Sequence, residues 1–274
     1  MGRIPAALVT FVVCPLALAG VPTDPAERAA TVGQPVKLIV TPPAVTLTGP
    51  RDVRQLVVTG EYSNGQVRDL THLAVVTTIP AGVAQVGDGL FLRGLKDGTT
   101  TLTLVAGGKT ATVAVTVKDS AAAKPVSFRH EVVAVMNVGG CNMGACHGTP
   151  SGKNGFKLSL RGFDPAADYL QLTRDQFGRR SDSQDPANAL IWLKGLGRVP
   201  HEGGARLLAN SLPAELLSGW LKGGLPDDPK DLPAVTKLEV TPGGRVQLNP
   251  ARWQQLAIQA TFADGKTRDV TRLT

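Results

Sequence analysis

The sequence predicts a modular fold: a small antiparallel β-sandwich, then a small all-α unit, then a second, truncated copy of the β unit. Three observations carry that reading. Short Val-, Leu- and Thr-rich runs separated by two-residue turn signals fill residues 36–118. The apolar spacing becomes helical over 126–228. Leu238–Thr271 then aligns without gaps on Leu38–Thr71 at a constant offset of 200.

Residues 1–19 read as a signal peptide. Arg3 supplies the positive start, "ALVTFVVCPLALA" the apolar stretch, and Ala17-Leu18-Ala19 the small-x-small cleavage site. The apolar run is too short for a transmembrane span, so the expectation is export to the periplasm or cell surface. Val13 and Pro15 around Cys14 argue against lipidation. Loss of the leader leaves two cysteines, Cys141 and Cys146. Residues 20–35, with Pro22, Pro25 and Pro35, read as an extended linker.

Over 36–118 the runs "KLIVTP", "RQLVVTGEYS", "GLFLRGL", "TTTLTLVAGG" and "KTATVAVTVKD" read as strands. Asn64-Gly65, Asp88-Gly89, Asp97-Gly98 and Gly107-Gly108 break them. Residues 236–274 repeat the beginning of this unit, with Val40/Val240, Pro42/Pro242, Gln55/Gln255, Arg68/Arg268 and Asp69/Asp269 matched. The copy stops at Thr274 with three strands of its template still to come. The expectation is that this is the front of a longer protein, or that something else completes the copy.

Between the copies, "FRHEVVAVMNVGG" places Phe128, Val132, Val135 and Met136 on one helical face and stops at Gly139-Gly140. "DPAADYLQLTRDQFG" and "DPANALIWLKGLG" each open on Asp-Pro, an N-cap followed by proline in the first turn. "SLPAELLSGWLKGGLP" opens on Ser211 and ends at a glycine pair.

The chemistry concentrates in "VGGCNMGACHGTPSGKNGF", Val138–Phe156. Haem-attachment motifs usually set two residues between their cysteines; here Asn142, Met143, Gly144 and Ala145 make four. Covalent haem needs two thiols on one edge of the macrocycle and a histidine that swings under the iron. Adjacent Cys146 and His147 meet that need, which makes Cys141 and Cys146 the thioether anchors and His147 the proximal ligand. A local Cys141–Cys146 disulfide also suits an exported protein, but leaves His147 unexplained. Zinc expects four ligands in paired clusters, whereas His72, His130 and His201 stand singly. Met136 sits on the lead helix's apolar face and Met143 inside the loop, so neither suits a sixth ligand. Arg161, in "SLRGF", is a candidate partner for a haem propionate.

The net charge of +7 is scattered, which fits a solvated surface rather than a nucleic-acid face. No Gly-x-Ser-x-Gly elbow, His-Glu-x-x-His or Walker loop occurs, so an electron carrier is expected rather than a catalyst.

The β units resemble group 2 bacterial immunoglobulin-like domains, as in invasin- and intimin-type surface proteins. "L.VTP", the Gln-Leu strand and the "(N/D)G…RD(L/V)T" hairpin carry that resemblance. It implies spacer or adhesion modules facing the cell envelope or a protein partner, with Arg68 and Asp69 structural. The middle resembles the cytochrome c-like domain of large planctomycete surface proteins, on "GCNMGACHG", "GKNGFKLSLRGFDPAADY", "DPANALIWLKGLGRVPHEGG" and "LLSGWLKGGLP". That resemblance implies one covalent haem c, tolerance of the longer cysteine spacing and an unnamed redox partner. It puts the distal-ligand loop at "VPHEGG", making His201 the sixth ligand. The alternative is a surface adhesion protein with a cofactor-free helical insert and the Cys141–Cys146 disulfide.

Overall fold

The computed structural model of the chain describes residues 21–80, 82–244, 250 and 252–274. The predicted signal peptide and Cys14 lie outside the described residues. Helix α1 (Pro25–Val32) occupies half of the expected linker, because the Asp24 carboxylate accepts from the Ala26 and Glu27 N–H groups and Pro25 fits the first turn.

The first β unit runs through β1 (Lys37–Thr41), β2 (Ala44–Thr48), β3 (Val53–Gln55), β4 (Val57–Glu61) and β5 (Val67–Asp69). It continues through β6 (Val75–Thr78), β7 (Ala84–Gly87), β8 (Phe91–Gly94), β9 (Gly98–Ala106) and β10 (Lys109–Lys118). Sheet β1-β4-β5 and sheet β2-β10-β9-β6 share one core, and a smaller sheet β3-β8-β7 lies beside them. Alternation does the sorting: Leu102 and Leu104 of β9, and Val113, Val115 and Val117 of β10, all point inward. Pairing is not wholly antiparallel, since β2 runs parallel to β10.

The repeat at offset 200 is structural as well as sequential. Strands β11 (Val235–Thr241), β12 (Ala257–Phe262) and β13 (Thr267–Asp269) form one sheet. Val40 pairs with Val58 and Val240 with Ile258; Thr59 pairs with Asp69 and Gln259 with Asp269. The copies also clasp each other reciprocally. The Gln55 N–H donates to Asp269 Oδ2 at 2.7 Å, and the Gln255 N–H donates to Asp69 Oδ2. Each aspartate also accepts from the N–H of its own Thr71 or Thr271, so Asp69 is a structural residue. Leu38 is 8% exposed whereas its counterpart Leu238 is 58% exposed. Among the described residues, no second sheet pairs with β11-β12-β13 as β2, β9 and β10 do with β1.

The expected fold class needs correction. The described residues are mostly β, with 13 strands in four sheets and 22% helix. The small all-α cytochrome c-like domain predicted over 126–228 is not seen. A π-type turn (Phe128–Val132) leads into α2 (Val133–Val138), followed by α3 (Pro165–Thr173), α4 (Leu190–Gly195) and α5 (Leu212–Lys222). At six to eleven residues, these helices are joined by long loops and do not build a core alone. Phe128, Met136, Leu172, Leu216 and Trp220 share theirs with Val53 and Leu273 of the β units. Asp185-Pro186 does not open a helix. The Asp182 carboxylate takes the Gln184 and Asp185 N–H groups, and Asp185 holds Asn188, so the chain turns there and α4 starts at Leu190.

Glu131 ties the three parts together. It is 2% exposed, with its carboxylate 2.6 Å from Arg268 Nη2 and 3.8 Å from Arg51 Nη2.

Candidate functional site

The site begins where α2 ends. Ser127 caps the lead turn by accepting from the His130 N–H, and the helix stops at Gly139 and Gly140, the latter at φ +68°. The four residues between the cysteines close into a turn rather than opening a gap. Met143 O accepts from both the Cys146 and Gly148 N–H groups, and the His147 N–H donates to Cys141 O at 2.9 Å. That last bond straps the first cysteine to the histidine. Gly148 is required for the turn, because a Cβ there would lie 2.2 Å from Asn142 O. Bonds from Leu158 N to His147 O and from Arg161 N to Asn142 O anchor the loop to the following segment.

His147 Nδ1 lies 3.0 Å from Phe156 O, and its ring packs on the Phe156 ring. A carbonyl only accepts, so Nδ1 carries the proton and Nε2 presents a lone pair. Burial pushes the His147 pKa below the ordinary histidine value, with His201, Arg180 and Lys153 adding to the effect and the Phe156 carbonyl opposing it. His201 repeats the arrangement: its Nδ1 lies 2.9 Å from Gly204 O, leaving Nε2 free. The two imidazole rings are 6.4 Å apart between centres and within 3° of parallel.

Both histidines and both cysteines line one cavity of about 500 Å³, a size suited to a cofactor. Met136, Phe156 and Leu158 form apolar wall, and Leu190 and Ile191 of α4 contribute more. Cys141 and Cys146 are free thiols. Burial pushes the Cys141 thiol up to about 11, the neighbouring Cys146 adding to this and Arg206 opposing it.

The structure therefore brings Cys141, Cys146, His147 and His201 together, although the last lies 54 residues beyond His147. His72 instead bonds Gln255 between the β units, and His130 stands against Phe262. Met136 lines the cavity as buried apolar wall, while Met143 and Arg161 do not line it. The expectation that Arg161 meets a propionate is thus replaced: the cavity's cations are Lys153, Arg179, Arg180, Lys194 and Arg206. The adjacent pair Arg179-Arg180, between two helical segments, was the available sequence signal for them.

Among the described residues, no three His, Cys, Asp or Glu side chains converge to hold a bare metal ion. His147 and His201 instead stand as a parallel pair on the cavity wall, each with its Nδ1 on a backbone carbonyl. No helix among the described residues is long and apolar enough to cross a membrane. No protein-family model matches the sequence, and no curated protein is significantly similar to it.

Proposed function

We propose that this chain is an exported electron carrier holding one covalent c-type haem in the cavity between His147 and His201. The imidazole pair carries the reading. Two histidines holding one iron between them would set their ring centres about 6.2 Å apart, with a metal–nitrogen bond of about 2.0 Å and about 1.1 Å from nitrogen to ring centre on each side. The rings stand at 6.4 Å, near parallel, with each Nδ1 tied to a backbone carbonyl and each Nε2 free. Such carbonyl partners are what orient metal-ligating histidines and fix their tautomer. The free thiols on the same cavity are the second support.

Bound there, the haem supplies a one-electron iron couple. The chain's residues do the rest. Cys141 and Cys146 provide the S–H groups for two thioether bonds, the His147–Cys141 backbone strap keeps anchor and ligand in register, and the apolar wall excludes water. His147 and His201 would hold the iron, and a histidine pair would favour electron transfer over ligand capture, at a lower potential than a His/Met pair gives. The β units act as spacers that present the site to a redox partner outside the cell membrane.

The axial pair is tested on protein matured in a host with a cytochrome c assembly system. The expected product is six-coordinate, low-spin and indifferent to carbon monoxide, and His201→Ala opens it to carbon monoxide. An unchanged low-spin spectrum in His201→Ala would remove His201 as the ligand.

A further inference from the structure

Arg180 is a buried charge that the chain does not neutralise. It is 6% exposed, and its terminal nitrogens donate to backbone carbonyls, Gln171 O at 3.3 Å and Gly155 O. Its guanidinium lies 4.5 Å from the centre of the Phe156 ring that packs on His147. None of the ion pairs among the described residues includes it. Asp175 acts on it through space, but that carboxylate is bound by the Gln171 amide, and Arg179 acts in the opposite sense. Buried guanidinium groups are ordinarily paired with an anion, since a carbonyl dipole offsets less than a carboxylate does.

The same side chain lines the cavity, next to Arg179, and five cations there face the single acid Glu202 among the described lining residues. Such a wall repels cationic ligands and leaves neutral ones without a counter-charge.

We infer that Arg180, with Arg179 beside it, seats the carboxylates of the cavity's ligand, which for a haem are its two propionates. This rests on the haem reading and adds the group's orientation: propionates toward Arg179 and Arg180, thioether edge toward Cys141 and Cys146. Arg180 is then a binding residue, its fork geometry suited to a carboxylate.

The test uses the full mature chain made without haem and titrated with mesohaem, whose saturated side chains form no thioethers, and with mesohaem dimethyl ester, which lacks the charges. Wild type is expected to bind the acid about tenfold or more tightly than the ester, the factor for one hydrogen bond to a charged group. Arg180→Gln and Arg179→Gln each narrow that preference, and Arg180→Lys keeps part of it. The Arg179 side chain makes no hydrogen bond or ion pair among the described residues, its backbone N–H alone donating to Gln176 O, so its variant reports even where loss of the Gly155 and Gln171 contacts unfolds Arg180→Gln. Equal affinity of wild type for acid and ester overturns this inference and leaves the haem reading standing. Binding of neither takes both down.

Discussion

Replacing Glu131 by Gln should destabilise the whole chain, because one carboxylate joins the first β unit, the helical segment and the second β unit. Glutamine preserves the shape and one acceptor, so the bond from the Ser127 N–H survives. Arg51 also donates to Lys124 O at 2.7 Å and Pro125 O at 3.0 Å, so it keeps partners. Arg268 is the group left stranded: 16% exposed at its side chain, it has its hydrogen bond and ion pair with Glu131 at 2.6 Å. Breaking a buried pair by removing one partner costs about 3–5 kcal/mol, and the partial exposure of Arg268 argues for the lower end, about 3 kcal/mol. At about 2–4 °C per kcal/mol for a chain of this size, the melting temperature falls by about 6–12 °C. Urea denaturation followed by fluorescence of the buried Trp220 reads the loss. In an Arg268→Met background, Glu131→Gln should cost much less. A loss below about 1 kcal/mol, or one unchanged in that background, would refute Glu131 as the joint.

Gly148→Ala forces a Cβ to 2.2 Å from Asn142 O, so the attachment turn must open and haem incorporation on maturation should fall at least severalfold; normal incorporation would show that the turn is dispensable. Asp269→Ala strands the buried Gln55 N–H and the Thr271 N–H, costing about 2–4 kcal/mol by urea denaturation; a loss under about 0.5 kcal/mol contradicts the reciprocal clasp. Burial lowers the His130 pKa, with Asp228 opposing and Arg129 and Arg268 adding to it. The unfolded chain therefore takes up its proton first, near about pH 6.5; stability is full above that pH and is lost as pH falls through the folded value. His130→Gln should flatten that acid limb, and an identical pH profile in the variant would exclude the effect.

The parts legible in sequence are those whose chemistry is local. Cys146 and His147 are neighbours, so their shared place on one cavity follows from adjacency, and the repeat showed itself because Leu38–Thr71 and Leu238–Thr271 keep one register. Asp-Pro marks the limit of such signals. Asp164 caps its helix as expected and Asp24 caps one where a linker was expected, but Asp185 does not, because Asp182 captures the neighbouring N–H groups first. The all-α middle was misread for a related reason. Apolar spacing showed helices but not that their core is completed by Val53 and Leu273, residues far off in sequence. Arg179 and Arg180 stood out in sequence only as an adjacent basic pair, because the fold is what brings them to the cavity that His147 lines. The reciprocal bonds of Asp69 and Asp269 likewise exist only once the two copies dock.

The central claim is covalent haem at Cys141 and Cys146, and the most direct measurement is the visible spectrum of the mature chain after maturation in a competent host and purification under denaturing conditions. The account predicts a retained Soret band and reduced haemochrome peaks that vanish in the Cys141→Ala/Cys146→Ala variant. A colourless chain carrying a Cys141–Cys146 disulfide would contradict it.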